Sequence, residues 1–145
     1  MSDLFELQLS LDLPGDLSDG ELSVLRRQLG AEDRDPPGDM DDPDNWPLFC
    51  DRGPATRIGG TLTGDLQHGR RGWSLTVRQE VHPDGFSQLD SLLTWLGART
   101  TTIGTVGSLR FLEDHVPDLF IADAGSITRV TLKQQQAAAT LLPYE

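Results

Sequence analysis

The stretch 87-SQLDSLLTWLGARTTTIGTVGSLRF-111 decides the fold class, because it reads as a helix, a stop and a strand. The helix is indicated by leucines at helical spacing, namely Leu89, Leu92, Leu93 and Leu96. Gly97 follows at a position where glycine often ends a helix, since it takes the left-handed conformation without a Cβ clash. Beyond it, Ile103, Leu109 and Phe111 keep a period of two and predict a strand with these side chains inward.

Small residues thin this strand in its middle, at Gly104, Thr105, Gly107 and Ser108. Such a strand either lets another backbone come close or leaves a shallow groove on the sheet. A second thin strand is predicted over Ile58–Leu66, where Gly60 and Gly64 alternate with apolar residues.

The N-terminal segment predicts a half-buried strand followed by a capped helix. Apolar and polar residues alternate from Phe5 to Leu13, which is the pattern of a strand with one face in the core. Ser18 followed by Glu21 is a capping-box pattern, and Gly30 closes the helix after it.

Two hairpins complete the set of elements. One turns at residues 68–72 and returns through Trp73–Val77, and the other joins residues 119–122 to 127–132. The second helix is predicted to begin at an N-cap, either Asp84 or Ser87. The order β-α-β-β-α-β-β with short connections predicts a mostly antiparallel sheet with both helices on one face, a ferredoxin-like or related α+β fold. Residues 1–145 are interpreted as one such domain. Its core is predicted to contain Phe5, Leu7, Leu9, Leu11, Leu13, Leu22, Leu25, Leu89, Leu93 and Leu96.

The net charge of −11 is concentrated at one end of the chain. Residues 1–51 hold fourteen Asp or Glu and three Arg, whereas residues 52–145 hold nine acids and nine bases. This sign argues against nucleic acid as a partner. A localised acidic field attracts a cationic partner, although acidic surfaces also serve solubility alone.

Much of this charge lies in a long acidic loop at about 31–56, AEDRDPPGDMDDPDNWPLFCDRGPAT, for which regular structure is not expected before about Trp46. Its apolar residues, Trp46, Leu48 and Phe49, are predicted to pin the loop to the core, and Cys50 beside Phe49 is interpreted as a small buried residue.

The single cysteine excludes an internal disulfide, and the acidic N-terminus has no basic-then-apolar leader. No apolar run approaches the length of a bilayer. These features predict a cytoplasmic protein with no membrane association.

No motif spells out a reaction, and the sequence indicates no catalytic residue, cofactor or metal site. The three histidines, at 68, 82 and 115, lack metal-ligand spacing. Asp39, Asp41, Asp42 and Asp44 resemble a calcium loop, but the sixth and twelfth positions hold Asp44 and Cys50 instead of Gly and Glu.

The exposed face of the predicted sheet offers polar candidates. Arg78 and Arg110 are both expected there and mark a polar binding surface. The alternative is that they form cross-strand ion pairs with Glu80 and Glu113.

Residues Leu92–Thr128 resemble one group of small α+β immunity proteins from bacterial polymorphic-toxin systems. The matching parts, about a quarter of the chain, are the Trp95-Leu96 helix end, the small residues 104–107, the strand 109–111 leading to Glu113-Asp114, and a second strand closing at Gly125. The long acidic loop departs from the pattern. The resemblance implies a non-enzymatic cytosolic protein that binds and blocks a co-encoded toxin, and a basic toxin would suit the acidic charge.

Three hypotheses follow. The first is an immunity-type inhibitor of a cationic toxin domain, and the second is a small enzyme or ligand-binding domain using a groove over the two thin strands. The third is a structural subunit, a homodimer whose exposed strand edge pairs with its own copy. For the first, the predicted partner-binding residues are Glu32, Asp33, Asp35, Asp39, Asp41, Asp42, Asp44, Trp46, Arg78 and Arg110.

Overall fold

The structure is a computed structural model that describes residues 3–30 and 47–132. Its strands are β1 (Phe5–Leu13), β2 (Gly53–Pro54), β3 (Thr61–Gly69), β4 (Gly72–Val81), β5 (Gly104–Phe111), β6 (Asp118–Asp123) and β7 (Ser126–Val130). The helices are α1 (Asp19–Gln28) and α2 (Phe86–Gly97).

All seven strands form one antiparallel sheet in the order β2-β3-β4-β1-β5-β6-β7. The first strand lies at the centre, where Leu9 is opposite Val77 of β4 on one side and Gly107 of β5 on the other. The predicted α+β class, antiparallel sheet and element order are confirmed. Strands β3, β4, β1 and β5 form the ferredoxin-like part, and the hairpin β6–β7 extends it on one side.

The core lies between the sheet and the two helices. The alternating leucines of β1 are at most 4% exposed and join one cluster with Leu25 of α1 and with Leu89, Leu93 and Leu96 of α2. Both helices therefore cover the same face of β1, as predicted. Leu22 is buried as well, and Phe5 is half-buried against Phe86 and Phe111.

The capping box predicted for α1 is present. The Glu21 N–H donates to Ser18 Oγ over 3.1 Å, and the Ser18 N–H donates to the Glu21 carboxylate over 2.9 Å. Glu21 also accepts from Arg99 Nε at 2.6 Å, which ties the start of α1 to the segment after α2. The Ser18 N–H and then Arg99 lower the pKa of Glu21. Gly30 has a φ of +73°, so the predicted glycine stop is confirmed.

The caps predicted for α2 are wrong at both ends. A 3-10 turn at Pro83–Gly85 leads the chain directly into the helix, so neither Asp84 nor Ser87 is the N-cap. Gly97 is the last helical residue rather than a left-handed stop, and the cap that follows it is right-handed Ala98. A Cβ at Gly97 would lie 2.8 Å from the Ile127 backbone nitrogen, so the glycine permits close packing of α2 against β7.

The predicted period of two in β5 holds for Leu109 and Phe111, which lie opposite Leu7 and Phe5, and it fails at Ile103. A β-bulge between Thr105 and Gly107 shifts the register against β6. Val106 and Leu109 are therefore both buried, while Ile103 precedes the strand and is 80% exposed. Strand β3 begins at Thr61, so Ile58 lies in the preceding turn rather than in a strand.

The described end of the predicted acidic loop, residues 47–56, packs against the core. Phe49 is fully buried, and its N–H donates to the Gln28 carbonyl at 2.8 Å. Gly64 makes room for it, since a Cβ there would overlap the Phe49 carbonyl. The buried Gln79 side chain donates to the Cys50 carbonyl. The prediction that apolar residues pin this segment is confirmed for Phe49, and the loop also contains the short strand β2.

Candidate functional site on the open face of the sheet

The sheet face opposite the helices carries the polar positions of the central strands. Because side chains alternate along a strand, the even-numbered residues of β1 and β4 point away from the helices. No described helix packs over them, and this surface is called the open face below. Its central residues are Glu6, Gln8, Ser10, Asp12, Ser74, Thr76, Arg78 and Glu80.

One end of the open face holds an Arg–Glu–Arg network. Glu6 Oε2 accepts from Arg78 Nε at 3.0 Å and lies 2.9 Å from Arg78 Nη2. Glu6 Oε1 accepts from Arg110 Nε at 3.3 Å and from Arg110 Nη2 at 3.1 Å. Glu6 is thereby only 8% exposed, although it points away from the core. Each arginine meets one oxygen of the carboxylate with two nitrogens, so a single carboxylate binds both guanidiniums.

Arg78 contacts the turn before β3 as well as Glu6. Its Nη1 donates to the Gly59 and Thr61 carbonyls at 2.7 and 3.2 Å, and its Nη2 donates to the Ile58 carbonyl at 3.3 Å. With its hydrogen bond and ion pair to Glu6, the guanidinium is held by contacts within the chain on both sides. Arg78 therefore fastens the turn before β3 to the sheet.

Arg110 plays the same part on the other side of Glu6. Its Nη1 donates to the Leu112 carbonyl at 3.1 Å and to the Asp114 carbonyl at 2.9 Å. The structure brings Arg78 and Arg110 together on the open face, and their contact with a partner stays a prediction. The alternative partners, Glu80 and Glu113, are wrong: both arginines pair with Glu6. Sequence reasoning missed Glu6 because only the strand order places β1 between β4 and β5.

Glu80 holds the same turn by accepting hydrogen bonds. Its carboxylate accepts from Thr56 Oγ1 at 2.9 Å and from the Arg57 and Ile58 N–H groups at 2.6 and 3.1 Å. Desolvation alone would raise the pKa of Glu80, but the hydrogen bonds from Arg57, Ile58 and Thr56 outweigh it and lower the pKa below its ordinary value of 4.5.

This shift predicts a pH-dependent contribution to stability. Because the folded-state pKa of Glu80 is lowered, its contribution is complete above pH 4.5 and is lost as the pH falls through the folded-state pKa. Glu80→Gln should therefore destabilise the protein near neutral pH and converge with the parent in acid. Urea unfolding of both proteins between neutral pH and pH 3 checks this, and a gap that is constant with pH would contradict it.

A groove of about 520 Å³ lies beside the Arg–Glu–Arg network on the open face. Its polar lining residues come from four strands, and Arg78 of the network is one of them. The others are Gln8, Ser10, Thr63, Thr76, Thr105 and Ser108. Gly107 brings β5 close to β1, since a Cβ there would lie 2.1 Å from the Gln8 carbonyl. Both thin strands of the sequence, β3 and β5, contribute to the groove.

The far end of the open face is acidic. Asp12 accepts from Ser74 Oγ at 2.8 Å, and Asp65 accepts from Gln67 Nε2 at 2.9 Å. Within residues 3–30 and 47–132, neither carboxylate forms an ion pair. Asp65 is opposite Thr76, and Thr76 is opposite Ser10, so this negative charge borders the hydroxyls of the groove.

The histidines and the cysteine lie apart from the groove. His68 stacks on Trp73 with 4.4 Å between ring centroids, and His82 Nδ1 lies 3.1 Å from the Asp3 carbonyl. Cys50 is a free, half-buried thiol. In the described part of the chain, no three His, Cys, Asp or Glu side chains gather where they could hold a metal ion.

The remaining predicted site residues, Glu32, Asp33, Asp35, Asp39, Asp41, Asp42, Asp44 and Trp46, lie outside the described residues. No helix in the described ranges has the length and apolar character needed to cross a bilayer. Comparison with family models, with curated proteins and with solved structures found no match.

Proposed function

We propose that this chain is a non-enzymatic binding protein of the immunity type, which binds and neutralises a basic toxin domain in the cytoplasm. One observation carries the proposal: an open sheet face on which the carboxylates of Asp12 and Asp65 form no ion pair within the described residues. Carboxylates at the edge of a contact surface attract a cationic partner and orient it during encounter.

Both the described residues and the segment 31–46 carry a net negative charge, which favours a cationic partner. The described residues hold fifteen Asp or Glu and ten Arg, which gives −5. Residues 31–46 hold seven acids and one Arg, which supplies the remaining −6 of the total of −11. This field raises the rate of encounter with a basic protein more than the strength of any one contact.

The groove supplies the contact surface in this proposal. Its hydroxyls sit on strands of a continuous sheet, so they are held in place before a partner arrives. The Arg–Glu–Arg network holds the turns on either side and keeps the shape of the groove. A surface that is already ordered loses less conformational entropy on binding.

The contact surface is tested with a bulky substitution on each side of the molecule. Thr76→Arg places a long cationic side chain in the groove and should weaken binding of the co-encoded basic toxin domain at least about tenfold, through overlap and repulsion. Thr94→Arg makes the same change at an exposed position of α2 on the opposite face and should bind like the parent. Calorimetric titration measures both. Equal affinities for the two variants would place the contact elsewhere.

The steering function of the acidic segment is tested by kinetics. Replacing Asp39, Asp41, Asp42 and Asp44 with Asn should slow association and flatten its salt dependence, while dissociation changes less. Stopped-flow mixing at two salt concentrations measures this. Association as fast as that of the parent at low salt would contradict steering by this segment. Turnover of a small substrate by the purified protein alone would defeat the inhibitor proposal altogether.

The groove favours a second candidate function, a ligand-binding domain. Its hydroxyls and amide suit a small polar ligand. Asp12 and Asp65 lie beyond the lining on the same face and favour a cationic ligand, although Arg78 lines the groove itself. Titration of ¹⁵N-labelled protein with spermidine, and with glucose as a neutral control, checks this. Saturable chemical-shift changes at Ser10, Thr76 and Ser108 with spermidine but not with glucose would support this function. Their absence would contradict it and favour a protein partner at the groove.

A further inference from the structure

The two edges of the sheet differ in their protection. At one edge, β2 has only two residues, one of them Pro54, and the exposed remainder of β3 contains Gly64 and Asp65. Proline, glycine and charge all disfavour pairing with another strand. At the other edge, β7 has the sequence SITRV, with three β-branched residues and no proline or glycine. Its outer side has no neighbouring strand among the described residues.

Two exposed apolar side chains, Val130 and Leu132, lie at the end of this unprotected strand. In the described ranges, the large apolar residues that stand exposed are Ile103, Val130 and Leu132, at 80%, 38% and 40%. Val130 ends β7 and Leu132 follows it, whereas Ile103 precedes β5 and lies near the turn end of the β6–β7 hairpin, away from both. Exposed apolar side chains beside an unpaired strand favour contact with another chain.

The hairpin geometry shows which backbone groups of β7 are free. Ala124 and Gly125 form a two-residue turn with positive φ at both positions, closed by the pair Asp123 and Ser126. In such a hairpin the closing pair is hydrogen-bonded and the pairs then alternate. The N–H and C=O groups of Ser126, Thr128 and Val130 therefore point to β6, and those of Ile127 and Arg129 point outward.

We propose that β7 pairs antiparallel with β7 of a second copy of this chain, about a two-fold axis at Thr128. In this register, the outward N–H and C=O groups of Ile127 form hydrogen bonds with those of Arg129 from the other copy. Thr128 then faces its own copy as a non-hydrogen-bonded pair, a favourable Thr–Thr contact. All five residues of the strand are paired, with Ser126 beside Val130 of the other copy.

Charge also selects this register. Arg129 is already paired with Asp118 at 2.6 Å, and in the proposed register it lies opposite Ile127. An axis at Arg129 would instead set two guanidiniums against each other, which is destabilising. An axis at Ile127 would pair three residues and leave Val130 uncovered. The self-complementary strand therefore fits a second copy, the isologous contact typical of two-fold dimers.

Sedimentation velocity of the full chain over a concentration series tests the dimer. Arg129→Pro removes an outward N–H from each copy and should raise the dissociation constant roughly tenfold or more. Arg129→Ala removes the same ion pair but keeps the N–H, so it should still dimerise. If the unsubstituted protein is monomeric at every concentration, the proposal is overturned, and a different protein becomes the candidate partner for this edge. Equal association of the two variants would also overturn it.

Cysteine cross-linking tests the register without proline. A cysteine on the two-fold axis meets its own copy, so Thr128→Cys should form an intermolecular disulfide under mild oxidation. Ser126→Cys faces Val130 of the other copy and should not, and both variants keep Cys50 as an internal control. The cross-linking experiment still tests the dimer if Arg129→Pro does not fold. Equal cross-linking of the two variants would overturn the proposed pairing.

Discussion

Leu9→Ala should lower the free energy of unfolding by about 2–5 kcal/mol. Leu9 is 2% exposed and lies at the middle of β1, the strand that both halves of the sheet pair with. Removing its branched end leaves a cavity between the sheet and the helices, and the neighbouring strands restrict collapse around it. Urea unfolding monitored by circular dichroism measures the loss.

Leu9→Met is the matched control, because it keeps the volume at the same site and should cost less than about 1.5 kcal/mol. The two variants separate the effect of a cavity from that of any change at position 9. A loss within a few tenths of a kcal/mol for Leu9→Ala would show that β1 does not face the core with its odd-numbered leucines.

Local patterns were sufficient to predict the elements and the core. The alternation of β1 and the leucine spacing of α2 each report burial directly, and the structure places both sets in one cluster. The capping box at Ser18 is equally local, because both of its hydrogen bonds join residues three apart. Such signals depend on no knowledge of the strand order.

The errors arose where tertiary packing overrides local preference. Gly97 was predicted to end α2 in a left-handed conformation. Its lack of a Cβ instead allows the backbone of β7 to pack closely against the helix. Ile103 was predicted inward, but the bulge beside Val106 changes which side chains of β5 face the core. Neither the approach of a distant strand nor a bulge has a reliable signature in one sequence.

At the candidate site, too, local patterns were predictable from the sequence and long-range contacts were not. The alternation of apolar and polar residues along β4 predicted that Arg78 would lie on the face away from the core, and the structure confirms this. The carboxylate that pairs with it comes from Glu6, 72 residues earlier. Residues opposite each other across strands are set by register and order, so long-range ion pairs become visible only once the sheet is assembled.

Glu6→Gln should lower the free energy of unfolding by about 2–4 kcal/mol. The substitution removes the charge shared by Arg78 and Arg110 while nearly preserving the shape of the side chain. Two guanidiniums then lie close together without a carboxylate, at sites where their side chains are 26% exposed and the Glu6 side chain is 10% exposed. The partial exposure of the arginines keeps the expected loss below that of a fully buried ion pair. The turns held by Arg78 and Arg110 should also loosen, with faster hydrogen exchange at Ile58 and Asp114.

Glu113→Gln provides the control, because Glu113 is an exposed acid close to Arg110 in sequence and forms no ion pair within the described ranges. Surface changes of this kind are expected to stay within about 0.5 kcal/mol. Because the Glu6 side chain is only 10% exposed, most of the difference between the two variants should persist at high salt, where fully exposed pairs are screened. Equal stabilities of Glu6→Gln and Glu113→Gln in urea would mean that the Arg–Glu–Arg network does not stabilise the fold. A difference that disappears in salt would mean that the network acts as an exposed surface pair.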